Sequence, residues 1–151
     1  MDGARDLVHG TAIAIGGRAA LIRGPSGSGK SDLAMRCLGI ASSSLVPEPA
    51  KLVSDDQVLL TRRGGGIQAE SPQSIRGKLE IRGLGIIDVP DCDAAKLVLV
   101  ADLVPAGAYE RLPDPGRRVT ILGLSVPLIE IAPFEASAAL KLLLALRASH
   151  S

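Results

Sequence analysis

The sequence has 151 residues, 46% of them hydrophobic, and carries 17 Lys and Arg against 16 Asp and Glu. This length can bury one sizeable core, so we predict a single domain over residues 1–151. The near-neutral charge and the scarcity of aromatic residues argue against nucleic-acid binding, and no apolar run is long enough for a membrane span or a signal peptide. The two cysteines, Cys37 and Cys92, show no metal-ligand spacing, so we expect free thiols in a cytoplasmic protein.

The first predicted element is a β-hairpin. Residues 11–15 alternate in the manner of a strand, and Gly16-Gly17 predicts a tight turn into a second strand at residues 19–22. A hairpin that leads into the next motif implies a mixed sheet rather than a fully parallel one. The preceding His9 is, on its own, more typical of an ordinary surface residue.

Residues 24–31 match the phosphate-binding loop pattern G-x-x-x-x-G-K-[ST] at every fixed position. The predicted nucleotide-binding residues are Gly24, Pro25, Ser26, Gly27, Ser28, Gly29, Lys30 and Ser31. The glycines let backbone N–H groups curl around phosphates, Lys30 can reach the β- and γ-phosphates, and the Ser31 hydroxyl can bind magnesium. Residues 31–39 predict the helix whose N-terminus faces the phosphates. The sequence therefore predicts an α/β domain that binds a nucleoside triphosphate.

An acidic pair, Asp55-Asp56, follows a predicted strand at residues 51–53, after a Ser- and Pro-rich loop at residues 41–50. Magnesium-nucleotide enzymes place a metal-binding or proton-accepting carboxylate at such a strand end. Two aspartates can also simply cap a turn. Given the loop at residues 24–31, we favour a functional role for the pair.

The stretch 79–89 interleaves charged residues and glycines with branched aliphatic residues, which predicts a bend or a close backbone approach. Glu80 alternates with Leu79 and Ile81, and on this pattern it fits the solvent side of a strand. The remaining predicted elements are a strand at 96–101, a loop at 105–118, short extended pieces at 120–122 and 126–129, and a leucine-rich helix at 136–147. On pattern alone, Arg111 is a solvated charge in the Pro-rich loop.

The order of these motifs resembles that of the HPr kinase/phosphorylases, bacterial enzymes that phosphorylate a serine of the phosphocarrier protein HPr of the sugar phosphotransferase system. The resemblance rests on His9-Gly10, the loop at 24–31, Ser54-Asp55-Asp56, the stretch 79–89 and Glu110-Arg111-Leu112. It implies a phosphate-loop α/β fold with a mixed sheet, of the kind this family shares with phosphoenolpyruvate carboxykinases. It also implies ATP and Mg²⁺ as cofactors and an HPr-like carrier as the protein substrate.

The resemblance assigns roles to individual residues. The catalytic residues that it implies are His9, Lys30, Asp56 and Arg111. Asp56 would accept the proton of the substrate serine while His9 orients it, and Lys30 and Arg111 would neutralise charge on the transferring phosphoryl group. The magnesium ligands that it implies are Ser31, Glu80 and, through water, Asp55.

The chain resembles the family's catalytic domain without its usual additional N-terminal domain, as in the short alphaproteobacterial members. Residues 131–137 are acidic and apolar, whereas the family has a basic, glycine-bearing loop implicated in dephosphorylation, so the kinase direction is the better supported one. The family forms hexamers, and we expect a homo-oligomer. Two alternatives remain, which are a small-molecule kinase and a nucleotide-dependent binding switch without catalysis.

Overall fold

The computed structural model describes residues 2–149, so Met1, His150 and Ser151 of the predicted domain lie outside the described residues. The strands are β1 (Arg5–His9), β2 (Thr11–Ile15), β3 (Arg18–Arg23), β4 (Lys51–Ser54), β5 (Gln57–Arg63), β6 (Gly66–Glu70), β7 (Lys78–Ile81), β8 (Gly85–Asp88), β9 (Ala95–Leu103), β10 (Arg118–Ile121) and β11 (Leu124–Ile131). The helices are α1 (Lys30–Leu38) and α2 (Ala138–Ala148), with a 3₁₀ turn at Gln73–Ile75.

Nine of these strands form one mixed sheet, in which the order β1-β5-β6-β9-β3-β2-β4 places the long strand β9 at the centre. One side of β9 pairs with β3, while its other side pairs with β6 near its start and with β11 near its end. The pairs β3–β9 and β9–β11 are parallel, and the other pairs of this sheet are antiparallel. The predicted mixed sheet and the hairpin of β2 and β3 are therefore confirmed.

The central strands bury both of their faces. Ile13 and Ile15 of β2 pack with α1 and α2 on one face, while Ala12 and Ala14 of the same strand join a second cluster on the other face. Because successive side chains of a strand point to opposite faces, an unbroken apolar run is required when both faces are covered. All five residues of β2 are buried, which explains the small and branched side chains of this strand.

Helix α2 packs against α1 and against the sheet rather than standing alone. The predicted residues Leu140, Leu143, Leu144 and Ala145 do lie against the core, but the fully buried face is centred on Ala138, Ala139, Leu142, Leu143 and Leu146. Leu140 and Leu144 lie at the margin of this face and are partly buried. The spacing 139, 142, 143 and 146 is that of one helical face. Because leucines occupy most positions around this helix, the sequence pattern alone does not distinguish this face from the neighbouring one.

The stretch 79–89 forms a separate two-stranded hairpin, β7 and β8, rather than one bent strand. Its turn at residues 82–84 includes Gly83 at a φ of 86°, and nothing lies within 4 Å of the position a Cβ would take there. The glycine therefore serves the bend and not a close approach. Strand β1, which the sequence did not predict, pairs with β5.

Within residues 2–149, neither helix is long and apolar enough to cross a membrane. Both cysteines in this part of the chain are free thiols, as predicted. Cys37 lies buried where α1 faces α2, and burial raises the pKa of its thiol to about 12.

Candidate active site

Five segments with candidate functional residues meet at one edge of the sheet. The parallel strands β3, β9 and β11 end at this edge, and so does β4, because it runs antiparallel to β2, which in turn runs antiparallel to β3. For the same reason β2 begins there, directly after His9 and Gly10. Ligands of α/β sheets bind outside the carboxyl ends of parallel strands. The topology therefore gathers His9, Asp55 and Asp56 around the loop that follows β3.

That loop, residues 24–29, is curled tightly before α1 begins at Lys30. Gly27 and Gly29 have φ values of 80° and 102°, which L side chains rarely adopt, so the pattern requires glycine at these two positions. The Ser28 N–H donates to the Pro25 carbonyl at 3.0 Å and closes the turn. Within residues 2–149, the buried Ser28 Oγ has no hydrogen-bond partner. A loop of this shape presents backbone N–H groups to an anion at the positive end of α1.

Lys30 lies across the loop, with only 7% of the residue exposed. Its Nζ donates to the carbonyl oxygens of Gly24 at 2.6 Å and Pro25 at 3.0 Å. Burial lowers the pKa of Lys30, and the attraction of the Asp56 and Asp55 carboxylates partly opposes that shift. The loop thus holds a cation whose position is fixed by its own backbone, next to two carboxylates.

Asp55 is the most heavily bonded carboxylate of the site and is only 6% exposed. Its Oδ1 accepts hydrogen bonds from Ser31 Oγ at 2.7 Å and from Thr11 Oγ1 at 2.9 Å, and its Oδ2 accepts one from the Glu80 backbone N–H at 3.3 Å. A buried carboxylate needs such donors to offset the loss of hydration. Asp55 therefore joins α1, β2 and β7 at one side chain.

Thr11 was missed by the sequence analysis, although it bonds directly to Asp55. It is fully buried at the start of β2. The only signal in the sequence is a polar residue at the head of an otherwise apolar strand, directly after His9-Gly10.

Asp56 points the other way from its neighbour, and its side chain is 74% exposed. Its φ is 69°, a left-handed conformation that Asp and Asn tolerate better than other non-glycine residues. The His9 Nε2 lies 3.2 Å from its Oδ1, and its carbonyl accepts a hydrogen bond from the Gly10 N–H at 3.0 Å. The sharp turn at residues 55–56 thus separates a buried carboxylate from a solvent-facing one that has a histidine beside it.

The three predicted magnesium ligands are only partly brought together. Ser31 Oγ and Asp55 Oδ1 are 2.7 Å apart and offer the oxygen donors that Mg²⁺ prefers, whereas the Glu80 side chain is exposed and only its backbone N–H contacts Asp55. In the described part of the chain, no group of three or more His, Cys, Asp or Glu residues is placed to hold a metal. The Ser31 and Asp55 pair fits a magnesium ion that takes its other ligands from phosphate oxygens and water.

Arg111 is not brought into contact with the other site residues. It lies on the exposed loop between β9 and β10, and within residues 2–149 no hydrogen bond or ion pair holds its side chain. The loop is tied down on either side of it. Tyr109 Oη donates to Glu135 Oε2 at 2.5 Å, and Arg117 Nη1 lies 2.8 Å from Glu130 Oε1.

The Tyr109 contact belongs to a three-residue cluster that the sequence did not indicate, and we name it the Tyr109–Glu135–Lys141 latch. Lys141 Nζ donates to Glu135 Oε1 at 2.9 Å and lies 5.1 Å from the centre of the Tyr109 ring. The hydrogen bonds from Tyr109 and Lys141 hold the pKa of Glu135 below its ordinary value. The latch connects the loop that carries Arg111 to the segment before α2.

A phosphate-binding loop between a buried strand and a helix, with a serine and an aspartate beside it, defines a phosphate-loop α/β protein. The model of the HPr Serine kinase C-terminal domain family matches residues 3–148, which is nearly the whole chain. The chain therefore belongs to this family, and the predicted fold class and family are confirmed.

Individual relatives agree with this assignment. The chain is 32% identical over 134 residues to the HPr kinase/phosphorylase of Chloroherpeton thalassium and 33% identical over 137 residues to that of Burkholderia lata. These alignments cover 82% and 84% of this chain but only 37% and 40% of the relatives, so the chain spans about two fifths of their length. The solved structure of the Hpr(Ser) kinase/phosphatase from Coxiella burnetii superposes with a TM-score of 0.75 at 26% identity and covers 93% of both chains.

Proposed function

We propose that this protein is an ATP-dependent serine kinase that acts on an HPr-like phosphocarrier protein. The observation that carries the proposal is the difference in burial and pairing between the two aspartates beside the phosphate-binding loop. Asp55 is buried and bonded to Ser31, whereas Asp56 is exposed and, within residues 2–149, its side chain is paired only with His9. An exposed carboxylate next to a phosphate site can meet a hydroxyl carried by another protein, which a buried one cannot.

In the proposed reaction, the serine oxygen of the carrier attacks the γ-phosphorus of ATP and the bond from phosphorus to the β-phosphate oxygen breaks. The serine proton passes to a carboxylate oxygen of Asp56, and ADP leaves. His9 Nε2, at 3.2 Å from Asp56 Oδ1, keeps that carboxylate in place. A positioned general base of this kind contributes about 10²–10⁴-fold to the rate.

Positive charge supports the transfer. Lys30 and the N–H groups of the loop bind the phosphates, and Arg111 reaches the transferring group when its loop closes over the site. Mg²⁺, held by Ser31 and Asp55 with Glu80 close by, would neutralise charge on the β- and γ-phosphates. Phosphoryl transfer needs little else, because holding the substrates in line and stabilising their charge supply most of the rate acceleration.

The reverse reaction, in which inorganic phosphate removes the phosphoryl group from the phosphoserine, is the weaker half of the proposal. It requires two anions to bind together, and the segment 131–137 contributes Glu135 and no Lys or Arg. We therefore propose that transfer to the serine is the dominant direction of this cytoplasmic enzyme.

Exposed apolar side chains on the hairpin of β7 and β8 offer a protein-binding surface close to the site. Leu84 and Ile86 are largely exposed, and the same hairpin reaches Asp55 through the Glu80 N–H. Contiguous exposed apolar surface is typical of protein contacts. Binding of the carrier, or of further copies of the chain in a homo-oligomer, would cover it.

The test is incubation with Mg²⁺-ATP and an HPr-family protein of the same organism, followed by mass spectrometry of the carrier. We expect one added phosphate on a serine, and a rate lower by about 10²–10⁴-fold in Asp56→Asn. Asn accepts the left-handed backbone of position 56, so the variant should fold and bind ATP. Asp6→Asn, an exposed aspartate on β1, is the matched control and should keep the full rate.

Different failures of this test have different meanings. Wild-type transfer that persists unchanged in Asp56→Asn would remove Asp56 as the base but keep the kinase. No transfer by a chain that binds ATP would contradict the carrier-kinase proposal. A small-molecule phosphate acceptor or a nucleotide-dependent binding switch would then be the better explanation.

A further inference from the structure

An apolar cavity of about 360 Å³ lies beside the phosphate-binding loop. In the strand order it lies on the β9 side of β3, whereas Asp55 and Asp56 follow β4 on the other side. It is lined by the loop residues Pro25 and Ser28, by residues 103–106 at the end of β9, and by residues 132–135 after β11. These are the three segments that follow the three neighbouring parallel strands. The cavity therefore belongs to the same edge of the sheet as the phosphate site and shares Pro25 and Ser28 with it, but the reaction proposed above uses neither residues 103–106 nor residues 132–135.

Phe134 is the most unusual of the lining residues. It is the only phenylalanine of the chain, and it is 73% exposed. Its ring lies against the phosphate-binding loop, because a Cβ added to Gly29 would come within 2.9 Å of Phe134 Cζ. An aromatic ring that faces solvent at the edge of an apolar cavity offers a flat surface on which another ring can stack.

The residues on both sides of Phe134 are held firmly. Arg36 of α1 donates from Nη2 to the Pro133 carbonyl and from Nη1 to the Glu135 carbonyl, the latter at 3.4 Å. The Glu135 carboxylate is bonded in the Tyr109–Glu135–Lys141 latch. The exposed ring is thus carried by an anchored backbone, so a ligand that stacks on it does not have to order the segment first.

The ligand expected here has one strongly anionic end and one flat, largely apolar ring. The anionic end fits the loop at Lys30 and the N-terminus of α1, and the flat ring fits the adjacent cavity, whose volume lies within the range of small-molecule sites. Stacking of a nucleobase on an aromatic side chain is favourable and tolerant of the base.

Resting on the proposed binding of a nucleoside triphosphate, we propose that this cavity takes the purine base of the nucleotide and that Phe134 stacks on it. The inference assigns a role to the acidic and apolar segment 131–137, which the phosphoryl-transfer chemistry leaves without one. Residues 103–106 complete the lining of the cavity.

The first experiment compares the affinities of ATP and of inorganic tripolyphosphate, which has the phosphates but no base. We expect Phe134→Ala to weaken ATP binding about tenfold and to leave tripolyphosphate binding unchanged. Phe134→Tyr, which keeps the ring, should restore ATP binding. Leu45→Ala removes another exposed apolar side chain, in a loop bonded to Arg147 near the far end of α2, and should change neither affinity.

The second experiment relies on the small number of aromatic residues in the chain. The chain has one Phe, one Tyr, no Trp and two His, so the ring protons of Phe134 can be identified in unlabelled protein. Nuclear Overhauser effects between these protons and the H2 or H8 proton of bound adenine are expected. They place the base directly, even if a substitution at position 134 perturbs the loop.

The outcomes separate this inference from the function on which it rests. Tripolyphosphate binding that equals ATP binding in the wild type, or equal losses for both ligands in Phe134→Ala, would overturn the base pocket and leave the phosphate site intact. Overhauser effects to other residues in the absence of any to Phe134 would also overturn it. A wild-type chain that binds neither ligand would overturn the proposed function itself, and the base pocket with it.

Discussion

Two loops leave the same edge of the sheet and are held in different ways. The phosphate-binding loop at 24–29 is fixed throughout by its internal turn, by Lys30 across it, and by a two-point ion pair at its base in which Arg23 donates to both carboxylate oxygens of Asp102 at 2.7 and 2.9 Å. The loop at 104–117 is anchored at Val104, at Tyr109 and at Arg117, and its intervening residues are exposed.

The difference matches the role that we propose for each loop. Phosphates bind to preformed N–H groups, and a rigid cradle avoids the cost of ordering them at the moment of reaction. An arginine that stabilises only the transferring group does not need to be in place before the substrates arrive, and loops with few anchors open and close most easily. We therefore expect a fixed phosphate site and a mobile arm that carries Arg111.

Lys30→Ala removes the cation that lies across the fixed loop at 24–29 and should have the largest effect. We expect ATP binding to fall below detection and phosphoryl transfer to drop by about 10³-fold or more, because the variant loses the cation that spans the loop. Because the Lys30 ammonium makes two hydrogen bonds to loop carbonyls, its removal should lower the melting temperature by only about 2–4 °C. Calorimetry with ATP and thermal unfolding measure both quantities.

Lys96→Ala is the matched control for that variant, because Lys96 is exposed near the start of β9, at the opposite end of the strand from the site. It should bind ATP as the wild type does. Normal ATP affinity in Lys30→Ala would contradict the assignment of the phosphate site.

Arg111→Ala tests the mobile side. We expect kcat to fall about 10²-fold with unchanged ATP affinity and unchanged melting temperature, because this side chain is exposed and is expected to contact only the transferring group. Steady-state kinetics with the carrier protein separates kcat from KM. The control is Arg63→Ala, which removes an exposed arginine at the far end of β5. Equal losses in the two variants would show a general effect of charge rather than a role for Arg111.

Tyr109→Phe removes one of the three anchors of the loop at 104–117 and tests how firmly that loop is held. The loss of the hydrogen bond to Glu135 should increase proteolytic cleavage within residues 106–117 about fivefold, with cleavage of the loop at 24–29 unchanged. Timed digestion with mass spectrometry of the fragments is the measurement. Cleavage at the wild-type rate would show that the latch does not hold this loop.

The latch also predicts a smaller, pH-dependent effect. The hydrogen bonds from Tyr109 and Lys141 lower the pKa of Glu135, so the latch is complete above the ordinary value of about 4.5. It should weaken as the pH falls through the folded pKa of Glu135. The ring resonances of Tyr109 should be constant between pH 5 and 8 and shift as the pH falls through that folded pKa. A shift between pH 5 and 8 would contradict the proposed pairing.

The sequence predicted the fixed side of the site better than the mobile side, for a physical reason. The hairpin of β2 and β3, the loop at 24–31 and the helix after it are contiguous, so turn chemistry, glycine spacing and apolar periodicity specify them locally. Asp55-Asp56 was recognised as a pair, but its separation into a buried and an exposed carboxylate depends on the φ of 69° at Asp56, which nothing in the sequence shows.

The elements that were missed depend on contacts between distant segments. The latch joins residues 26 and 32 positions apart, and the cavity at Phe134 is made by three loops that only the strand order brings together. Strand β1 is mostly exposed, so it carries no apolar pattern, and its pairing with β5 alone defines it. The hairpin of β7 and β8 shows the same limit, because its glycines indicated a bend but not a separate sheet.

One oxygen atom of Asp55 accepts hydroxyl hydrogen bonds from both Thr11 and Ser31, and this has a consequence for protein engineering. The phosphate-binding loop and α1 are not a portable module in this protein, because the serine that follows the lysine is positioned by a strand that starts 20 residues earlier and a turn that lies 24 residues later. A graft of residues 24–38 into another scaffold would have to carry equivalents of Thr11 and Asp55 as well. Substitutions at these three positions should be non-additive, so libraries that vary them should do so jointly.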